Sequence, residues 1–228
     1  MEREKILENM RACREKLEKA AAGPVEICAV TKTQSAQAAN LAWEAGITRI
    51  GENRVQELME KLPALNPHFQ VDLIGQLQTN KVKYIVDRVA RVQSLDRMDL
   101  AREIDKRAQA KGRVMDCLVQ VNIAREKQKA GLDEGELCPF LEQAAKLQGL
   151  RICGLMAVMP LVQDPEEVRP YFRRMRTWFE RLKEEAPQGV EMQCLSMGMS
   201  GDYLVAAQEG ATLVRLGSAL FGARPAHP

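Results

Sequence analysis

Short apolar runs alternate with amphipathic stretches of helical period through almost all of this 228-residue sequence, and no other feature narrows the fold as much. The strand-like runs are Val25 to Thr31, Thr48 to Ile50, Phe69 to Ile74, Arg91 to Ser94, Met115 to Asn122, Ile152 to Ala157, Glu191 to Leu195 and Thr212 to Leu216. Between them, residues 36–45, 53–62, 77–87, 97–111, 134–148, 166–185 and 201–209 carry an apolar stripe and a polar face, the pattern of helices that pack one side onto a sheet. A leading helix over 2–21 has Ile6, Met10, Cys13 and Leu17 on one face and stops at Gly23-Pro24. Strands that alternate strictly with helices pair in parallel, because each helix carries the chain back to the end where the previous strand began. Eight such strands in roughly 200 residues predict an α/β fold, a closed (β/α)8 TIM-type barrel with an extra N-terminal helix. An open doubly wound sheet is the alternative. No Pro/Gly/Ser-rich linker or low-complexity run interrupts residues 1–228, so a single domain is expected.

Composition removes several classes of function. With 33 basic and 31 acidic side chains the net charge is +2, too little for long-range attraction of nucleic acid. The cluster Arg173, Arg174 and Arg176 reads as the solvated face of a helix. The opening Met-Glu-Arg-Glu-Lys leads into no apolar segment of the kind a secretory signal needs, and no run of about 20 apolar residues could span a bilayer. A cytoplasmic protein with no membrane partner is expected. Cys13, Cys28, Cys117, Cys138, Cys153 and Cys194 form no C-x-x-C pair, and His68 and His227 are the only histidines, so no zinc site is expected. Cys28, Cys117, Cys153 and Cys194 lie in strand-like runs and read as small buried hydrophobes.

A parallel barrel builds its ligand site at the C-terminal ends of the strands. The residues there are Lys32; Glu52 and Asn53; Gly75 and Gln76; Ser94 and Asp96; Asn122; Met156; Ser196 and Ser200; and Arg215, Gly217 and Ser218. Lys32 follows Ile27-Cys28-Ala29-Val30-Thr31, an apolar setting in which desolvation favours the neutral amine that attacks an aldehyde; a solvent-facing strand cap is the plainer alternative. Residues Leu213 to Gly222 read as a strand, a Gly-Ser turn and a short helix, whose backbone N–H groups and Ser218 hydroxyl can cradle a phosphate. The loop Ser196-Met197-Gly198-Met199-Ser200-Gly201 adds donors from Ser196 and Ser200. Alternatively, the glycines of both loops only make turns. Arg215 points inward if Val214 and Leu216 face the helices. Beside a pyridine nitrogen it would keep that nitrogen unprotonated and weaken an electron sink; an ion pair with Glu52 is the other reading.

Taken together, Ala29-Val30-Thr31-Lys32-Thr33, Gly51-Glu52-Asn53-Arg54-Val55-Gln56-Glu57, Gly75-Gln76-Leu77-Gln78-Thr79-Asn80-Lys81, Val121-Asn122-Ile123, Gly154-Leu155-Met156, Leu195-Ser196-Met197-Gly198-Met199-Ser200 and Val214-Arg215-Leu216-Gly217-Ser218 resemble the pyridoxal phosphate homeostasis protein family, in order, from about residue 25 to 224. The resemblance implies a barrel like the N-terminal domain of alanine racemase that binds pyridoxal 5′-phosphate (PLP). It implies Lys32 as the Schiff-base lysine and Asn53 near the cofactor ring. Ser196, Ser200, Gly217 and Ser218 become the phosphate cradle, and Arg215 the partner of the pyridine nitrogen. It further implies a role in supply and control of free PLP without robust catalysis, with PLP-dependent apoenzymes as partners. Position 76 departs from the family, which commonly has histidine where this chain has Gln76; an amide cannot shuttle a proton near neutral pH.

Two other readings keep Lys32. One is a PLP-dependent amino-acid racemase or lyase working from that single base; the other is a phosphosugar barrel in which Lys32 forms its Schiff base with the substrate. Alanine racemase takes a second base, a tyrosine, from a C-terminal β domain, whereas here the sequence stops at Pro228 and Tyr84, Tyr171 and Tyr203 all fall in helical stretches. That favours a non-catalytic carrier, and without a dimerising second domain a monomer is expected. Trp43 and Trp178 read as packing residues.

Overall fold

The computed structural model describes residues 2–126 and 130–222. Eight strands follow one another around a closed parallel barrel: β1 (Glu26–Val30), β2 (Arg49–Glu52), β3 (Gln70–Leu73), β4 (Arg91–Leu95), β5 (Met115–Gln120), β6 (Leu150–Met156), β7 (Val190–Ser196) and β8 (Leu213–Leu216). Closure comes from β8 pairing with β1, in the register Ile27 opposite Val214 and Ala29 opposite Leu216. The open-sheet alternative is thereby excluded. The helices are α1 (Glu2–Ala20), α2 (Ala36–Glu44), α3 (Val55–Lys61), α4 (Val82–Ile85), α5 (Met98–Gln109), α6 (Glu134–Ala144), α7 (Arg169–Glu185), α8 (Tyr203–Gln208) and α9 (Ser218–Phe221).

Strand alternation divides the core into two layers. Ala29, Ile50, Leu73, Val92, Val119, Leu155, Leu195 and Val214 point outward and pack with helix residues such as Leu58, Leu100, Leu137 and Phe172. Inside the barrel lies a smaller apolar cluster of Cys28, Leu118, Cys153, Met156, Cys194 and Leu213. The four strand cysteines are buried as expected, and burial raises their thiol pKa values, that of Cys153 to about 12. Such thiols are inert packing groups at neutral pH.

Helix α1 turns Ile6, Met10, Cys13 and Leu17 inward. Its polar edge holds α9, since Asn9 Nδ2 donates to Leu220 O at 3.2 Å and Cys13 Sγ approaches Ala219 O at 3.7 Å. The extra N-terminal helix therefore braces the turn that follows β8.

Three expected elements differ. The helix expected over 77–87 is a 3-10 turn at Thr79–Lys81 followed by the short α4, because Gln78 stays extended and Leu77 O is held by Arg97 Nη2 at 2.6 Å. The run Met115 to Asn122 leaves the sheet after Gln120: Val121 bridges to Leu132, and Asn122 Oδ1 accepts from Glu126 N at 3.1 Å to close a loop. The stretch 166–185 starts as a 3-10 turn, Pro165–Val168, before α7 begins with Pro170 in its first turn. No helix among the described residues is long and apolar enough to cross a membrane.

Candidate functional site

Lys32 stands two residues beyond β1, where the alternation Cys28, Val30, Lys32 assigns it to the lumen side. The turn that follows holds Thr33 at φ 66°, a left-handed conformation that a β-branched residue rarely adopts. Glu57 secures it by accepting from Thr33 N at 2.5 Å. Behind this turn, on the helix side, Lys61 Nζ donates to Thr31 O (2.7 Å), Glu52 Oε1 (3.0 Å) and Glu57 Oε1 (2.5 Å), and Thr31 Oγ1 donates to Glu52 Oε1 at 2.7 Å. Burial raises the Glu52 pKa, and the bonds from Thr31 and Lys61 only partly offset it. Glu52 thus braces the backbone under Lys32 and lies on the opposite face of the sheet from Arg215, so the ion pair considered between them does not form.

Arg215 does point inward, with Val214 and Leu216 in the outer core. It is 4% exposed. Nη1 donates to Ser196 O (3.0 Å) and Ser196 Oγ (2.5 Å), and Nη2 to Ala157 O (2.8 Å). Burial lowers its pKa below the ordinary arginine value, yet arginine starts so high that it stays a cation at neutral pH.

Ser196 is fully buried, and its one hydroxyl proton goes to Gln93 Oε1 at 2.7 Å. As placed, it serves Arg215 and has no proton left for a phosphate, which departs from the role the sequence suggested for it. Ser200 is different. Its Oγ accepts from both Gly217 N and Ala219 N, each at 3.1 Å, so both lone pairs are used and the hydroxyl proton is left to donate. The Gly217 N–H expected in the cradle is thus already bonded to Ser200, while Ser218 is exposed at the start of α9. A Cβ on Gly217 would lie 3.6 Å from Val30 Cβ; this loop therefore sits beside the strand end that carries Lys32.

Asn53 completes the mouth. The alternation Arg49, Gly51, Asn53 assigns it to the lumen side of β2, and its buried Oδ1 has no hydrogen-bond partner among the described residues. Gly75 lets the ends of β2 and β3 approach this closely, since a Cβ there would fall 2.3 Å from Asn53 O. Other polar residues named at the strand ends brace loops: Ser94 Oγ donates to Gly75 O at 2.6 Å, and Asp96 pairs with Arg97. Met156 is a lumen packing residue, and Gln76 is exposed.

Sequence reasoning missed the polar floor of the lumen. Asp72, fully buried, accepts from Arg49 Nη1 (2.7 Å), Arg91 Nε (3.1 Å) and Nη2 (2.7 Å), and Gln93 Nε2 (2.5 Å). The signal was present as period-2 interruptions, Val71-Asp72-Leu73 and Arg91-Val92-Gln93. No group of three His, Cys, Asp or Glu side chains among the described residues could hold a metal ion; His227 lies outside them.

A closed parallel barrel with a lysine just beyond its first strand and a buried arginine on its last defines a class, and residues 2–225 match the family model described as alanine racemase, N-terminal domain. The chain is 42% identical over 217 residues to the pyridoxal phosphate homeostasis protein of Aquifex aeolicus strain VF5, covering 92% of this chain and 94% of that one. Among solved structures, an unknown protein from Bifidobacterium adolescentis superposes with a TM-score of 0.91 at 30% identity, covering 96% of each chain. PipY of Synechococcus elongatus PCC7942, solved with PLP bound, gives 0.84 at 36% identity, covering 95% of this chain and all of that one. The chain belongs to the pyridoxal phosphate homeostasis protein family.

Proposed function

We propose that this protein binds PLP at the C-terminal mouth of the barrel and acts in PLP homeostasis as a carrier without robust turnover. Bound PLP supplies an aldehyde that an amine captures reversibly and a ring that draws electrons. Lys32 is the amine for that aldehyde, Arg215 faces the ring nitrogen, and Asn53 meets the ring with an otherwise unpartnered oxygen. Ser200 and Ser218 receive the phosphate, Ser200 through its remaining proton, with Gly217 shaping the loop through its bond to Ser200, whereas Ser196 acts by holding Arg215. The observation that carries this reading is the register of β1 with β8, which brings the strand end leading to Lys32 beside Arg215 and the loop at Gly217. The donor set suits an aldehyde-bearing phosphate ester with a basic ring nitrogen.

Two features support holding over turnover. Arg215 is a permanent cation, so a ring nitrogen beside it stays unprotonated and the ring is a weak electron sink. Tyr203 is buried beside Cys13, Tyr171 packs against the core from α7, and Tyr84 is exposed on α4; none is available as a second base opposite Lys32. The reading includes the chain as one PLP-binding domain, a cytoplasmic monomer that passes PLP to apoenzymes. Among the described residues the exposed large apolar side chains are Tyr84 on α4, Val114 in the loop before β5 and Leu161 in the loop after β6, single side chains rather than a contiguous patch.

The test is an absorbance titration of purified protein with PLP, then borohydride reduction and peptide mass mapping. A new band fixed onto the Lys32 peptide, and lost in Lys32→Ala with the fold intact, is expected. No adduct, or an adduct elsewhere, overturns the site. Exchange of an amino acid's α-hydrogen well above the rate of free PLP would reassign the protein as an enzyme.

A further inference from the structure

Arg215 is held by Ser196, Ser196 is oriented by Gln93, and Gln93 is oriented by Asp72, across the full width of the lumen from β8 and β7 to β4 and β3. We infer that Gln93 is a positioning residue for Arg215, so that the polar floor of the barrel sets where that cation stands against the cofactor's ring nitrogen. This rests on the PLP reading above.

The direction of every bond in the row is determined. Asp72 is an acceptor only, pinned by Arg49 and Arg91; burial alone would lower the Arg91 pKa, but Asp72 carries it above its ordinary value. Gln93 must therefore turn its amide nitrogen toward Asp72, because the flipped amide would set a carbonyl oxygen 2.5 Å from a carboxylate. Its carbonyl then faces Ser196 and takes the hydroxyl proton at 2.7 Å. With that proton committed, Ser196 Oγ can only accept, and it accepts from Arg215.

Arg215 has two other partners, the carbonyls of Ser196 and Ala157, which belong to the backbone and cannot reorient. The Ser196 hydroxyl is the one partner whose polarity is adjustable, and Gln93 adjusts it. Without Gln93 the hydroxyl proton has no fixed acceptor, so the Ser196 oxygen is no longer locked with its lone pairs toward the guanidinium, which weakens the hold on a cation that has no carboxylate bonded to it among the described residues. The arrangement transmits a choice made at Asp72 to a group at the opposite side of the lumen.

The experiment uses Gln93→Met, which keeps side-chain length and removes both donor and acceptor, and Ser196→Ala, which breaks the same row at its next member. Leu118→Ala serves as a lumen control that opens a cavity without removing a hydrogen bond. Each protein is loaded with PLP, its absorbance is followed from neutral to alkaline pH, its PLP affinity is measured, and the melting temperature is taken before loading. In Gln93→Met and Ser196→Ala the bound cofactor's spectrum is expected to become more pH-dependent than in the parent, with PLP bound about 5- to 10-fold more weakly, an indirect loss smaller than that of a charged hydrogen bond made to the ligand itself. Leu118→Ala is expected to melt lower but keep the parental pH profile. The effects of Gln93→Met and Arg215→Gln on affinity should fall short of additive, because both act on one group.

A parental spectrum and affinity in Gln93→Met and Ser196→Ala, with altered ones in Arg215→Gln, would overturn the positioning role while leaving the PLP reading intact. Full additivity would do the same. Should Gln93→Met not fold, Ser196→Ala with the Leu118→Ala control decides alone. No uptake of PLP by the parent protein would remove the binding reading and this role with it.

Discussion

Replacing Ser200 by alanine separates the loop bonds its hydroxyl accepts from the phosphate contact proposed for its proton. Its Oγ accepts from Gly217 N and Ala219 N at 3.1 Å each, and its proton remains to donate, in the proposed reading to the phosphate. Removal strands two backbone donors in a half-buried loop that water can reach, at a net cost of about 1–2 kcal/mol. For a chain of this size that corresponds to a fall in melting temperature of about 2–8 °C. Loss of the hydroxyl proton removes a hydrogen bond to an anion, about 1.5–3 kcal/mol, so PLP should bind about 10- to 100-fold more weakly. Pyridoxal lacks the phosphate and reports only the loosened loop. Parent and Ser200→Ala are therefore titrated with both ligands, and the ratio of their affinities is compared. A ratio that does not change, whether both affinities fall equally or neither falls, would refute the assignment of the Ser200 proton to phosphate.

Three further outcomes follow from the same geometry. Gly75→Ala forces a Cβ within 2.3 Å of Asn53 O; overpacking of that kind costs about 1–3 kcal/mol, and because it displaces Asn53 the PLP affinity should fall with stability in a denaturant and binding series, a result that parental affinity would contradict. Asp72→Ala leaves Arg49 and Arg91 without their buried carboxylate, costing about 3–5 kcal/mol; a melting point unchanged within a degree or two would show that the floor contributes little. Glu52 is held above the ordinary carboxylate value of about 4.3 by burial, so between its unfolded and folded pKa values the native state binds more protons. Its contribution to stability is then fully present below the unfolded pKa and is lost as pH rises through the folded one. Urea midpoints measured across that window should fall less with rising pH in Glu52→Gln than in the parent, and parallel curves would argue against the assignment.

Much of the fold was legible in the sequence because β and helical periods are local properties. The alternation Val214-Arg215-Leu216 was enough to turn Arg215 inward, and Cys28, Cys117, Cys153 and Cys194 were recognisable as buried from the runs that hold them. The segment 77–87 failed for an equally physical reason: its apolar period is helical, but Arg97, from beyond β4, holds Leu77 O and the chain before Thr79 stays extended. Sequence also named Lys32, Asn53, Ser200, Arg215, Gly217 and Ser218 as neighbours at one barrel mouth, since strand ends in a parallel barrel converge whatever the details of packing.

Partner choice within that mouth was beyond local reasoning. Ser196 lies in a small-residue loop that suggests a phosphate donor, yet its proton goes to Gln93, 103 positions earlier in the chain. The Gly217 N–H looked free for an anion and is bonded to Ser200. By itself the sequence determined the strand and helix order, the inward and outward faces and the set of polar residues gathered at the strand ends. Only the closed barrel decided which of those groups keep a donor or acceptor in reserve and which hold their neighbours, because a hydrogen bond's direction depends on donors and acceptors that closure brings together from distant strands.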